Sequence, residues 1–189
     1  QLNNLKDLNL QMSKEAINLT KALKGDSKAQ GDWGETQLEI LLEKANLAKN
    51  IHFTTQGGYR DDDGRLKKPD FIINLPDNRH LIVDSKVSLN AFTRYIEATD
   101  VTEQKKELDA HIEAIKNHIV SLSAKGYDDY DKALDFVMMF IPSEPAYISA
   151  MQGDANLWNY AYDKRILLMN PTNLITSLKL IVDLWKREY

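Results

Sequence analysis

Two short apolar runs on either side of a turn constrain the fold more than any other feature of this sequence. Residues 71–75 read FIINL and residues 80–83 read HLIV, and a Pro-Asp-Asn segment at 76–78 separates them. Runs rich in Ile, Val and Phe that flank such a segment are typical of a β-hairpin. We therefore expect an antiparallel pair of strands near the middle of the chain.

The apolar pattern also predicts the register of this hairpin. If residues 77–79 form a three-residue loop, Asp70 pairs with Lys86 and Ile72 pairs with Asp84. Opposite residues in antiparallel strands share a face, so Asp70, Asp84 and Lys86 gather at one end of one face. The other face carries Phe71, Ile73, Leu75, Leu81 and Val83. A two-residue loop would split the charges between the two faces.

The rest of the chain predicts helices on both faces of a mixed sheet. Residues 51–56 are rich in β-branched and aromatic side chains, and the apolar runs at 134–142 and 165–170 are typical of buried strands. Helices are predicted from apolar spacing at about 1–24, 31–48, 108–126, 144–152, 156–162 and 174–185. A hairpin followed by alternating helices and strands favours one α/β domain.

Composition excludes several classes of protein. The chain has 189 residues and no Cys, which excludes disulfide frameworks, thiol nucleophiles and Cys-ligated zinc or iron–sulfur sites. The absence of Cys fits a reducing compartment, and we expect a cytoplasmic location. The net charge of −4 lacks the basic footprint of a simple nucleic-acid binder. The common hydrolase, P-loop and dinucleotide motifs are also absent.

The N-terminal region predicts a helical arm that precedes the α/β domain. Leu5, Met12 and Leu19 share one position of a seven-residue repeat. This short repeat fits either a surface helix or part of a longer coiled coil. We place the arm at residues 1–28 and the α/β domain, which ends in a long helix, at residues 29–189.

The charged end of the hairpin has two interpretations. Burial of unpaired charge is costly, so Asp84 or Asp70 could form a structural ion pair with Lys86. Alternatively, two carboxylates and a backbone carbonyl suit a hard cation such as Mg²⁺, which would bind a scissile phosphate and activate a water. Lys86 would then orient that water or neutralise charge on the phosphate.

The residues at this end of the hairpin resemble a known signature. Pro69-Asp70, followed 14 positions after Asp70 by Asp84-Ser85-Lys86, resembles the PD-(D/E)xK motif of the restriction-endonuclease-like superfamily. Five segments in order resemble the RmuC family of DNA recombination proteins over roughly residues 29–189. They are GDWGE, KKPDFIINLP, IVDSKVSL, DFVMMFIPSEPA and PTNLITSLKLIVDLW.

This resemblance implies a fold and a function. The fold would be a restriction-endonuclease-like mixed sheet flanked by helices and coiled coils. The function would be that of a metal-dependent DNA nuclease that limits inversions at short inverted repeats. Family members often have an N-terminal membrane anchor and a long coiled coil. Because this chain starts at Gln1, we interpret it as a fragment that begins inside that coil.

The resemblance also assigns roles to individual residues. It implies that Glu35, Asp70 and Asp84 bind Mg²⁺ or Mn²⁺, that the carbonyl of Ser85 is a fourth ligand, and that Lys86 is the catalytic lysine. From its position alone, Glu35 has a second interpretation, since an acidic residue in the first turn of a helix is favoured by the helix dipole.

A short basic cluster next to the proposed site is the candidate DNA-binding surface. Gln56, Arg65, Lys67 and Lys68 would contact DNA, the cations through its phosphates. The same cluster could be a solvated loop, because three aspartates at 61–63 oppose its charge. The expected partners are DNA, branched or hairpin in form, and further copies of the chain through the coiled coil. The alternative function is a non-catalytic module that binds DNA or a partner.

Some residues are expected to be structural. The three tryptophans should pack in the core or between helices and not serve as base-stacking platforms. His111 and His118 should lie beside the apolar stripe of their helix. Gly31 and Gly34 either permit close approach of a backbone or phosphate, or shape the start of their helix.

Overall fold

A computed structural model gives the architecture of the chain. It describes residues 14, 17–55, 59–60, 63–67, 69–85, 88–127 and 133–188. The helices are α1 (Ser27–Lys44), α2 (Asn90–Glu97), α3 (Val101–Ala124), α4 (Glu144–Gly153), α5 (Leu157–Asp163) and α6 (Pro171–Glu188). The strands are β1 (Phe53–Thr55), β2 (Tyr59–Arg60), β3 (Leu66–Lys67), β4 (Phe71–Leu75), β5 (Arg79–Asp84), β6 (Ala133–Phe140) and β7 (Ile166–Met169).

Five of the strands form a mixed sheet in the order β1-β4-β5-β6-β7. The pairs β1–β4 and β4–β5 are antiparallel, and the pairs β5–β6 and β6–β7 are parallel. The predicted α/β class and mixed sheet are therefore confirmed. A second hairpin, β2–β3, follows β1, and its two-residue strands are too short to produce a periodic signal in the sequence.

Helices cover both faces of this sheet, as predicted. We call the face that contacts α2–α5 the α3 face, and the face that contacts α1 and α6 the α1 face. The core on the α3 face includes Ile72, Ile82, Ile115, Met139 and Leu168. The core on the α1 face includes Leu38, Phe71, Val83, Phe140 and Leu178. Adjacent residues of a strand enter opposite cores because strand side chains alternate.

Helix α1 begins earlier than its apolar spacing predicted. Its first residue is Ser27, whereas the spacing predicted a start near residue 31. The side chain of Asp26 accepts a hydrogen bond from the amide of Ala29 at 2.9 Å, which caps the helix. Asp26 is therefore the N-cap of α1.

The β4–β5 loop lies one residue earlier than predicted. It consists of residues 76–78, not 77–79. Asp77 and Asn78 have left-handed φ angles of 64° and 59°, which Asp and Asn tolerate better than most residues. These two residues reverse the chain before Arg79, which therefore joins β5.

The shifted loop changes the pairs but keeps the faces. Ile72 pairs with Ile82, so the predicted pairing of Ile72 with Asp84 is wrong. The predicted partner of Asp70, Lys86, lies outside the described residues. The observed register, continued by one step, places Asp70 opposite Asp84. Every side chain keeps its predicted face because the shift is even.

The apolar stripes of the long helices are confirmed. In α3, residues Ile112, Ile115, Ile119 and Leu122 are buried, and in α6 Leu174, Leu178 and Ile181 are buried. His111 lies beside the stripe of α3, where its Nε2 donates to the carbonyl of Ala146 at 2.9 Å. Burial lowers the pKa of His111, since a charged imidazole would lose its hydration there.

The expectation for the tryptophans is confirmed for two of the three. Trp33 packs against the core of the α3 face, and Trp185 packs between α6 and β4, where its Nε1 donates to the carbonyl of Asn74 at 3.0 Å. Trp158 is 39% exposed and stacks on Tyr162, with ring centroids 5.2 Å apart, so the expectation is wrong for this residue. Helix α5 is short and buries its opposite side, which leaves Trp158 at the surface.

The N-terminal arm is described only in part. Residues 17–22 are helical and a turn separates them from α1, whereas residues 1–13 lie outside the described part of the chain. The coiled coil and the boundary near residue 28 stay predictions. No helix in the described ranges is long and apolar enough to cross a bilayer.

Candidate active site

Two buried carboxylates meet where β4 begins and β5 ends. Asp70 is 3% exposed and Asp84 is 2% exposed, and the register places them opposite each other. Both lie on the α3 face, because they alternate with Phe71 and Val83, which enter the other core. Like charges on one face of a sheet repel each other, and a bound cation would offset that repulsion.

The backbone of Ser85 holds Asp70 in place. The amide of Ser85 donates to Oδ2 of Asp70 at 3.1 Å, and Ser85 is itself buried. On its other side Ser85 contacts α1: a Cβ placed on Gly34 would lie 2.9 Å from the Ser85 carbonyl oxygen. This confirms that Gly34 permits the close approach of a backbone.

Glu35 lies in a cleft at the same edge. It follows Gly34 on α1, and the cleft is also lined by Thr55 and by Phe71, the neighbour of Asp70. Among the residues that the structure describes, no three His, Asp or Glu side chains form a group that could hold a metal ion. The structure thus brings Asp70 and Asp84 together and places Glu35 in an adjacent cleft.

His118 joins the site from helix α3, which sequence reasoning missed. Its Nε2 lies 2.6 Å from Oδ2 of Asp84. A carboxylate only accepts hydrogen bonds, so Nε2 carries the proton. No local pattern singles out His118, because Lys116, Asn117 and His118 all stand between Ile115 and Ile119, which are both fully buried.

Tyr127 is a second residue that the sequence did not reveal. It is buried just beyond the end of α3. Its pKa is raised to about 12, first by burial and then by the negative charges of Asp84 and Asp70. The phenol therefore keeps its proton at neutral pH.

With this geometry established, comparison with known proteins identifies the family. The family model described as "RmuC family" matches residues 1–189. The chain belongs to the RmuC family.

Three relatives in this family are 40–45% identical to the chain over the matched residues. A DNA recombination protein RmuC homolog of Pasteurella multocida is 45% identical over 184 residues, which cover 96% of the chain and 36% of the relative. The homolog of Haemophilus influenzae is 42% identical over 184 residues, covering 96% of the chain and 41% of the relative. The DNA recombination protein RmuC of Salmonella typhimurium is 40% identical over 191 residues, covering all of the chain and 40% of the relative.

The RmuC match concerns only part of these relatives. The chain spans 36–41% of their length. No solved structure matches the chain. The comparisons therefore give the family, whereas the restriction-endonuclease-like fold stays a prediction.

The remaining predicted site residues of this RmuC domain are less fully placed. Gln56, Lys68 and Lys86 lie outside the described residues. Lys67 lies in β3, and Arg65 is exposed immediately before it. The basic cluster and the catalytic lysine therefore stay predictions.

The chemistry of the buried donors fits a hard divalent cation. Asp70 and Asp84 supply carboxylate oxygens, and Ser85 supplies a carbonyl between the end of β5 and α1. Mg²⁺ and Mn²⁺ prefer oxygen ligands of this kind. The adjacent cleft is lined by three acidic residues, Asp32, Glu35 and Glu39, and the resemblance to the signature selects Glu35 as the one that would complete the set.

Proposed function

We propose that this domain is a Mg²⁺- or Mn²⁺-dependent DNA nuclease with a restriction-endonuclease-like PD-(D/E)xK fold, and that it serves a DNA recombination protein. The observation that carries the proposal is the buried pair of Asp70 and Asp84 at the opposed ends of β4 and β5. These are the two carboxylate positions of the signature, and carboxylate oxygens are the ligands that Mg²⁺ and Mn²⁺ prefer.

In this proposal Asp70, Asp84 and the Ser85 carbonyl hold the metal, together with Glu35. When bound, the cation supplies a Lewis acid for the scissile phosphate and lowers the pKa of a water. The Ser85 amide keeps one oxygen of Asp70 engaged, which restricts rotation of that carboxylate. Lys86 neutralises charge that develops on the phosphate.

DNA is the substrate that the family relationship supports. The matched relatives are named DNA recombination proteins. Arg65, Lys67, Lys68 and Gln56 would contact the backbone of DNA, branched or hairpin in form, near the site. Because the chain carries a net charge of −4, we expect modest and strongly salt-dependent affinity. In the cell, such cleavage would limit DNA inversions at short inverted repeats.

Cleavage assays test the enzymatic proposal. The chain should cleave single-stranded, duplex or hairpin DNA in Mg²⁺ or Mn²⁺, and Asp84→Ala and Lys86→Ala should each abolish the activity. Asp183→Ala is the matched control, because Asp183 is exposed on α6, and it should retain activity. No cleavage of any of these DNAs by the unsubstituted chain would refute the proposal.

A second function, a non-catalytic module that binds DNA or a partner, has its own support. Three ligating side chains do not converge among the described residues, as a preformed metal site would require. This module would bind DNA without a divalent cation and would form homo-oligomers through its coiled coil. Binding of labelled hairpin DNA in EDTA, with no cleavage in Mg²⁺, would favour it over the nuclease.

A further inference from the structure

We propose that His118 is a positioning residue that fixes the Asp84 carboxylate for metal binding. The inference rests on the proposed function, since it concerns one of the ligands named there. It starts from the 2.6 Å contact between Nε2 of His118 and Oδ2 of Asp84.

The contact fixes the orientation of Asp84. With Oδ2 engaged by an N–H donor, rotation of the carboxylate is restricted, so both of its oxygens are held in one orientation. The side chain of Asp84 is 3% exposed, so bulk water does not replace this donor. A ligand held in this way loses less rotational freedom when it binds a cation.

The position of His118 makes it a rigid donor. The side chain is 20% exposed and leaves α3 between Ile115 and Ile119, which are both fully buried in the core of the α3 face. Core packing of Ile115 and Ile119 therefore fixes helix α3 before and after His118. The donor also comes from a different element than the ligands, so its removal leaves β4, β5 and their hydrogen bonds intact.

A merely structural role makes a different prediction. If the His118–Asp84 pair only stabilised the fold, its loss would lower the free energy of unfolding and leave the affinity for the cation unchanged. If His118 positions Asp84, its loss lowers that affinity, typically by about 10- to 100-fold for a partner of a metal ligand.

The experiment measures Mn²⁺ binding to the 189-residue chain by calorimetry or electron paramagnetic resonance. His118→Leu removes the donor and should lower the affinity for Mn²⁺ by about 10- to 100-fold. His118→Gln keeps an N–H donor at a similar reach and should restore most of the affinity. His111→Gln is the matched control, because His111 lies on the same helix and bonds to Ala146, and it should bind Mn²⁺ normally.

A second readout needs no metal. In the metal-free chain, nitrogen-15 NMR of the imidazole should show the proton of His118 on Nε2. Its Nε2 proton should exchange slowly with water, and Asp84→Ala should move the Nε2 resonance toward that of a solvated imidazole and speed this exchange.

The possible results separate the inference from the proposed function. If the unsubstituted chain binds Mn²⁺ and Asp84→Ala abolishes binding, but His118→Leu binds normally, the positioning role is wrong and the metal site stands. If the unsubstituted chain does not bind Mn²⁺, the proposed metal site fails and the inference fails with it. If His118→Gln is as weak as His118→Leu, hydrogen-bond donation is not what the histidine provides.

Discussion

The contact between Gly34 and Ser85 gives a sharp test of the structure, because a single methyl group should disturb it. A Cβ at Gly34 would lie 2.9 Å from the Ser85 carbonyl oxygen, about 0.5 Å closer than the start of ordinary contact at 3.4 Å. Both groups belong to the backbone, so neither can rotate away. In Gly34→Ala, either α1 or the end of β5 must move.

Gly31 provides a matched control on the same helix. A Cβ there would meet nothing within 4 Å. Both substitutions gain helix propensity, by about 1 kcal/mol. Overpacking costs about 1–3 kcal/mol, and only Gly34→Ala incurs it. We therefore expect Gly31→Ala to be stabilised, and Gly34→Ala to be about 1–3 kcal/mol less stable than Gly31→Ala.

Urea unfolding of the two variants, followed by circular dichroism, measures this difference. The midpoints should separate while the slopes stay equal, since the surface exposed on unfolding is nearly the same. Gly34→Ala should also weaken Mn²⁺ binding, because the displaced Ser85 carries both a proposed ligand and the amide that holds Asp70. Equal stability of the two variants would show that α1 does not press against Ser85.

Three further predictions concern other parts of the domain. Burial lowers the pKa of His111, so the unfolded chain binds more protons and the free energy of unfolding should fall as the pH drops below the ordinary value of 6.5. Unfolding titrations at pH 5.5 and 7.5 should show that His111→Gln loses this pH-dependent component. A pH profile of His111→Gln identical to that of the unsubstituted chain would contradict the prediction. Asn78 has a φ of 59°, so Asn78→Val should lower the free energy of unfolding by about 1–2 kcal/mol or more, whereas Asn78→Gly should leave it nearly unchanged. Thermal unfolding measures both variants, and equal melting temperatures for the two would refute the left-handed turn. The 2.8 Å ion pair of Arg94 and Glu107 is partly exposed, so Glu107→Gln should lower the free energy of unfolding by at most about 1 kcal/mol. This loss should be smaller in 1 M NaCl, because salt screens the pair. A loss that salt does not change would argue against an electrostatic contribution.

The parts of the site that depend on a local pattern could be predicted from the sequence. The faces of β4 and β5 follow from strict alternation, so Asp70 and Asp84 were correctly placed on one side. The register could not be read as securely, because it depends on two consecutive left-handed residues, Asp77 and Asn78. Most side chains disfavour that conformation, and the apolar pattern carries no information about it.

The parts that depend on packing between distant segments could not be predicted. His118 reaches Asp84 across 34 positions of sequence, and the contact depends on how α3 crosses the sheet. Tyr127 lies just beyond the end of α3, so its position near Asp84 depends on the same connection between β5 and β6. Close approach was expected at Gly31 or Gly34, but only Gly34 shows it, and the sequence does not say that the Ser85 carbonyl is its neighbour.

The position of β5, antiparallel to β4 and parallel to β6, has a consequence for the order in which the site forms during folding. Asp70 and Asp84 belong to a hairpin closed by a three-residue loop, a local event that is fast and loses little chain entropy. His118 and Tyr127 arrive only when the connection through α2 and α3 folds back so that β6 pairs with β5, a slower event with higher contact order. In folding experiments resolved in time, the carboxylate pair should therefore form first, and its burial by His118 and Tyr127 should follow.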